Sequence, residues 1–128
     1  MKLLLDTHIG LWAITDSPRL AAEARRLILA PANQIHVSAA SIWEIAIKHG
    51  LRKQSMPISG NEALAWFVKA GYALLPVSAE HAALVETLPA HHTDPFDRIL
   101  AAQALAEPMR LITHDALVAK YSDTTILV

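Results

Sequence analysis

Four acidic residues far apart in the chain, Asp6, Glu44, Asp97 and Asp115, each stand where an apolar run gives way to a helical pattern. Asp6 closes KLLLD, Glu44 lies in SIWEIA, Asp97 follows Asp94 in HHTDPFD, and Asp115 follows LITH. Carboxylates gathered on one surface repel: two of them about 4 Å apart do so by roughly 4 kcal/mol at an effective dielectric near 20. Such a group either keeps protons, with raised and coupled pKa values, or holds a cation. Cysteine is absent, so an oxygen-rich set would select a hard ion, Mg²⁺ or Mn²⁺, rather than zinc. Ions of that kind retain waters and polarise phosphates, which makes metal-assisted phosphodiester hydrolysis the chemistry such a set would perform.

Whether the acids meet depends on the elements that carry them. KLLL (Lys2 to Leu5) reads as a first strand, short and apolar as a strand buried on both faces would be. A short helix follows through Leu11, Trp12 and Ile14, and Ser17-Pro18 supplies a cap and first-turn proline for a second through Leu20, Ala24, Leu27 and Ile28. IHVSA (Ile35 to Ala39) is the second strand, followed by the helix SIWEIAIKHG, closing at Gly50. Asn61 to Ala70 form a helix stopped by Gly71, Tyr72 to Val77 a third strand, and Ser78 starts the helix SAEHAALVETL. HHTDPFDRILAAQA opens a helix ending before Pro108, RLIT (Arg110 to Thr113) is a fourth strand, HDALVAKY a short helix and TTILV a fifth strand. Strands alternating with helices imply an α/β sandwich around a mostly parallel sheet.

In such a sheet the strand C-termini and the following helix N-termini share one edge, where ligands bind. Asp6, Glu44 and Asp115 belong to that rim by topology, and Asp97 joins them if its loop returns across it. Each also has a local reading. Ser41-x-x-Glu44 fits a capping box, and Asp94-Pro95-x-Asp97 fits a cap, a first-turn proline and a dipole-favoured acid. Asp115 could start its helix and Asp6 end its strand. Grouping all four gains only repulsion unless something is bound.

The remaining polar residues divide less sharply. His8, His92 and His114 neighbour candidate ligands and could touch substrate phosphates, with His91 beside them; no HExxH spacing marks a zinc site. Arg98 could reach a phosphate or pair with the acids, and Lys48, one turn after Glu44, could do either. Trp12, Trp43, Trp66 and Phe67 occupy helical positions that suit core or interface better than base stacking.

Composition sets the frame. The chain has 128 residues, 53% of them hydrophobic, and a net charge of −1. This predicts a single domain over 1–128 with enough apolar surface for a core and a surplus that favours a partner, such as a second copy of the chain. A near-neutral protein binds nucleic acid only through a local device, and a metal would be one. Three leucines before Asp6 are too short a run for export, and no stretch approaches the roughly 20 apolar residues of a membrane span. With cysteine absent, a cytoplasmic location is expected.

LLLDTH, SAASIWEIAIK, LPAHHTDPFDRILAAQA and LITHDALV, in this order and spacing, resemble the PIN-domain family, and within it the VapC-like toxins of type II toxin–antitoxin pairs. The likeness runs from Lys2 to about Tyr121. It implies a three-layer α/β/α sandwich with a parallel five-stranded sheet of order 3-2-1-4-5, and Mg²⁺- or Mn²⁺-dependent endoribonuclease activity. It further implies a homodimer silenced by a small antitoxin protein whose C-terminal segment enters the active-site groove. Transferred motif by motif, the catalytic and metal-binding set is Asp6, Glu44, Asp97 and Asp115, with Asp94 capping the helix that presents Asp97. Thr7 and Thr113 match supporting polar positions beside the metal, and Ser41 remains mainly a cap. One departure is the segment KHGLRKQSMP, where such chains often carry a Gly-Lys-Leu-type turn.

Two other acidic-pocket classes fit poorly. A phosphoacceptor receiver domain wants paired acids after strand one and an Asp ending strand three, where this chain has Thr7-His8 and Leu75-Pro76-Val77-Ser78. A haloacid-dehalogenase-like phosphatase wants a second Asp two residues after the first, where this chain has His8. A non-catalytic RNA- or protein-binding module is the remaining alternative, separable by metal-dependent cleavage.

Overall fold

The computed structural model describes residues 1–52 and 56–128. In chain order it contains β1 (Lys2–Leu5), α1 (Thr7–Ile14), α2 (Ala22–Leu29), β2 (Gln34–Ser38), α3 (Ala39–Gly50) and α4 (Gly60–Lys69). These are followed by β3 (Ala73–Leu75), α5 (Ala79–Leu84), a 3-10 turn at Val85–Thr87, α6 (Pro95–Ala106), β4 (Arg110–Thr113), α7 (Ala116–Ala119) and β5 (Ile126–Leu127). The five strands form one sheet of order β3-β2-β1-β4-β5, every pairing parallel.

The central strand explains the layering. Leu3, Leu4 and Leu5 are fully buried, and successive side chains of a strand point to opposite faces. Leu3 and Leu5 join a cluster with Ile9 of α1, Leu27 of α2, Ile45 of α3 and Phe67 of α4. Leu4 packs with Leu100 and Ala104 of α6 and Val118 of α7 on the other face. Helices therefore cover both faces, giving three α/β/α layers.

Register then delivers the rim. Leu5 lies opposite Val37 of β2 and Ile112 of β4, and the Asp6 amide continues the ladder by donating to Ile112 O at 3.0 Å. Asp6, Ser38 and Thr113 thus stand level at the strand ends, where α1, α3 and α7 begin.

Some element ends differ from the sequence reading, each for a local reason. Ser17-Pro18 makes a turn instead of starting a helix: Ser17 accepts the amides of Arg19 and Leu20, and α2 begins at Ala22. α3 starts earlier than expected, because Ser38 ends β2 and caps the helix by accepting the Ala40 amide at 3.0 Å. Ser41 is therefore inside the helix and is not its cap, and Ser41-x-x-Glu44 is not a capping box. The capping box nearby belongs to α4, where Ser59 and Glu62 satisfy each other's amides. β3 is confined to Ala73–Leu75, with Pro76, which has no amide hydrogen to donate, next in sequence. Gly71 does end α4, at φ +82°, with the Tyr72 amide reaching back to Phe67 O. The departure at KHGLRKQSMP lies partly outside the described residues. No helix among the described residues is long and apolar enough to cross a membrane.

Candidate metal centre

Asp6 both caps a helix and walls a pocket. Its Oδ1 accepts the Ile9 amide at 3.0 Å, which starts α1, and its Oδ2 accepts the Thr113 hydroxyl at 2.5 Å. Burial pushes its carboxyl above the usual range, against the bonds from Thr113 and Ile9 and the nearby His114 and His8. Thr113 is a hinge between acids, because its oxygen also accepts the Asp115 amide at 3.0 Å. Asp115 caps α7 through Oδ1, which accepts the Leu117 amide at 2.8 Å, and turns Oδ2 to His92. Its partial burial is outweighed by the Leu117 amide and by His92, so its carboxyl lies below the ordinary range.

The loop before α6 does return across the rim. Asp94 caps α6 by accepting the amides of Phe96 and Asp97, and Pro95 takes the first-turn position where no amide is needed. Asp97 then projects from the first turn. Burial, followed by the charge of Asp94, raises its pKa to about 7; His92 opposes this, and Asp6 and Glu44 add to it. This is the repulsion anticipated for gathered carboxylates.

Glu44 enters from α3. It is buried, with Oε1 accepting the Thr7 hydroxyl at 2.6 Å and Oε2 accepting the Lys48 ammonium at 2.5 Å. The Thr7 hydroxyl also lies 3.0 Å from that of Ser41. Asp6, Thr7, His8, Glu44, Lys48, His92, Asp94, Asp97, His114 and Asp115 together line one cavity of about 260 Å³.

His92 sits among the acids, its Nε2 3.0 Å from Asp115 Oδ2 and 3.3 Å from Asp97 Oδ2. The Asp94 amide donates to its Nδ1 at 3.0 Å, so the neutral ring carries its proton on Nε2 and presents it to the two carboxylates. One donor atom from each of His92, Asp97 and Asp115 lies within 4.8 Å of the others. With Nε2 carrying a proton, His92 offers that group no lone pair, and the carboxylate oxygens of Asp97 and Asp115 are the donors left in it, which suit a hard divalent ion.

Of the residues singled out from the sequence, the structure brings Asp6, Glu44, Asp97, Asp115, Thr7, His8, His92 and His114 to this cavity, and Thr113 supports it from the end of β4. Burial lowers the pKa of His8 despite Asp6 and Glu44, and His114 is half-exposed with Nδ1 3.9 Å from Asp6 Oδ2. Arg98 is placed elsewhere. Its guanidinium donates to the carbonyls of Val85, Leu88, Pro89 and His92 and to the Tyr121 hydroxyl, fastening the loop that carries His92. Two contributors escaped the sequence reading, the Tyr121 hydroxyl, which also accepts the His92 amide at 2.9 Å, and Ser41 beneath Thr7. Ser41 had a signal: it stands three residues before Glu44, on the same helix face.

The family model of the PIN domain matches residues 3–123. No curated protein matches the chain significantly. Among solved structures, the VapBC2 complex of Rickettsia felis bound to a promoter DNA fragment contains a chain 22% identical, with a TM-score of 0.71, covering 100% of this chain and 98% of that one. A DNA-bound VapBC from Salmonella typhimurium is 16% identical with a TM-score of 0.69, covering 100% and 97%. A toxin–antitoxin complex from Klebsiella pneumoniae is 18% identical with a TM-score of 0.64, covering 97% and 95%. At these identities the likeness is one of fold.

Proposed function

The chain belongs to the PIN-domain family, and from that membership and its acidic cavity we propose that it is a divalent-metal-dependent endoribonuclease, the toxin of a toxin–antitoxin pair. The observation that carries the reading is the convergence of Asp6, Glu44, Asp97 and Asp115 on one cavity, with Asp97 raised to about 7 by burial and neighbouring charge. A stability role would not select such repulsion.

In this reading Asp6, Asp97, Asp115 and Glu44 hold Mg²⁺ or Mn²⁺ directly or through water. The bound ion supplies charge neutralisation at the phosphate and acidifies a coordinated water. Hydrolysis adds water oxygen to phosphorus and releases the 3′ oxygen, leaving a 3′-hydroxyl and a 5′-phosphate. Asp97, held ionised by a bound ion, and Glu44 both stand on the cavity wall, and either would orient the attacking water and take its proton. Thr113 and Thr7 fix Asp6 and Glu44, and His92 keeps Asp97 and Asp115 together through one shared proton. His8 and His114, on the cavity wall, can donate to non-bridging phosphate oxygens.

The partners follow the same likeness. The Klebsiella pneumoniae structure is a toxin–antitoxin complex and those from Rickettsia felis and Salmonella typhimurium are DNA-bound VapBC complexes, and a small antitoxin is proposed here too. An apolar cleft of about 650 Å³ beside the site, lined by Trp43, Val77, Val85, Pro95, Phe96 and Ile99 among others, could seat its amphipathic segment. Exposed Trp66 and Val68 on α4 favour a homodimer. The test is incubation of the antitoxin-free protein with single-stranded RNA and Mg²⁺ or Mn²⁺. Cleavage that stops on chelation and leaves 5′-phosphate ends is expected; a folded sample that binds RNA without cutting it would favour the non-catalytic module.

A further inference from the structure

Lys48 stands out because its present bond conflicts with the proposed use of the site. Its ammonium lies 2.5 Å from Glu44 Oε2, while Thr7 takes Oε1, so both oxygens of this buried carboxylate are engaged. The i,i+4 spacing on α3 holds the pair together, and the Lys48 side chain stays partly exposed at 27%. Among the described residues lining the cavity, Lys48 carries the one permanent positive charge; Arg98 is tied to carbonyls outside it. An ion drawing on Glu44 competes with the ammonium for the same oxygen, and two cations on one carboxylate repel strongly at low dielectric. The displaced ammonium sits on a flexible four-carbon stem at the cavity wall and can swing to an incoming anion.

We propose that Lys48 is the phosphate-binding cation of the site, parked on Glu44 until a divalent ion takes that carboxylate and then free to bind a non-bridging oxygen of the RNA backbone. This rests on the nuclease reading for the identity of the anion. It couples the two binding events: ion uptake releases the side chain that holds the substrate, so RNA binds weakly to the metal-free protein. No covalent step is involved.

The test compares wild type with Lys48→Gln, whose amide still donates to Glu44, and with Lys48→Arg. Mn²⁺ binding is followed by electron paramagnetic resonance, and binding of a single-stranded RNA oligonucleotide is followed by fluorescence anisotropy, with Ca²⁺ or with chelator. Lys48→Gln should bind Mn²⁺ several-fold more tightly, since a competing cation is gone. It should bind RNA roughly tenfold more weakly in Ca²⁺, with a salt dependence shallower by about 0.7 in log–log slope, the signature of one lost phosphate contact on a single strand. In chelator its RNA affinity should equal that of wild type, and Lys48→Arg should keep the wild-type slope. Parallel loss of Mn²⁺ and RNA binding would mean that Lys48 only positions Glu44, and an unchanged RNA slope would mean that it touches no phosphate; either overturns the proposal. All readouts are of binding, so wild-type protein that binds RNA but never cuts it would refute the nuclease reading while leaving the Lys48 contrast decisive.

Discussion

Asp94 accepts the amide hydrogens of Phe96 and Asp97, so one aspartate caps the turn from which the other projects. Three residues apart, the two acids have different surroundings. Asp94 spends its carboxylate on the helix start, whereas Asp97 faces His92 and the cavity with its pKa raised to about 7 by burial first and Asp94 second. The pair is a capping device that also loads its neighbour with charge repulsion.

Asp97 should therefore make the metal-free protein less stable as pH rises. A raised folded-state pKa contributes stability that is present below the unfolded value of 3.8 and lost as pH climbs through about 7. The loss falls between about pH 4 and pH 8, and solvent screening of the partly exposed side chain keeps it below what the full shift would give. Urea unfolding of wild type and Asp97→Asn should agree near pH 4 and diverge by about pH 8, with the variant the more stable. A gap that does not change with pH would rule this out.

Asp94→Asn should preserve the helix start, because asparagine caps as well as aspartate, while Asp94→Ala should lose about 1 kcal/mol. Removing the Asp94 charge also removes a cause of the raised Asp97 pKa. The pH midpoint for Mn²⁺ uptake by Asp94→Asn should fall below that of wild type; a midpoint that stays or rises would show that Asp94 does not act on Asp97.

Arg98→Ala should destabilise the fold by about 2–3 kcal/mol, since it strands several carbonyls that a charged donor now satisfies. The salt dependence of RNA binding should not change, because the guanidinium points to carbonyls and not to a phosphate. A shallower slope in this variant would return Arg98 to the substrate-binding set.

Thr113→Val keeps the shape of the β4 end but removes the donor to Asp6 and the acceptor for the Asp115 amide. The variant should lose about 1–3 kcal/mol of stability and bind Mn²⁺ roughly tenfold or more weakly, as supporting hydrogen bonds to ligands typically contribute. Thr113→Ser should restore both. Equal Mn²⁺ affinity in Thr113→Val and wild type would remove Thr113 from the site.

The sequence displayed the acids because each sits beside a strong local signal. Asp6 and Asp115 follow apolar strands, and Asp97 follows an Asp-Pro helix start; a parallel sheet then places the strand ends together. The sheet order came instead through family resemblance, since local patterns do not specify which strands pair. What stayed hidden depends on contacts between distant segments. His92 reads in the sequence as a possible phosphate contact, and only the fold shows it bridging Asp97 and Asp115 with Asp94 behind it; Arg98 reads as a phosphate ligand until four carbonyls claim it. Helix starts misled where two candidate caps competed. Ser38 captured α3 ahead of Ser41, and Ser17-Pro18 closed a turn instead of opening α2. The displacement of Ser41 into the helix is what frees it to meet Thr7 beneath Glu44.

Anomalous diffraction from crystals soaked in Mn²⁺ addresses the acidic cavity most directly. A peak within bonding distance of Asp97 and Asp115, with Asp6 or Glu44 reached directly or through water and no peak in Asp97→Asn, is the expected result. Full Mn²⁺ occupancy elsewhere on the protein, with these carboxylates left bare, would contradict it.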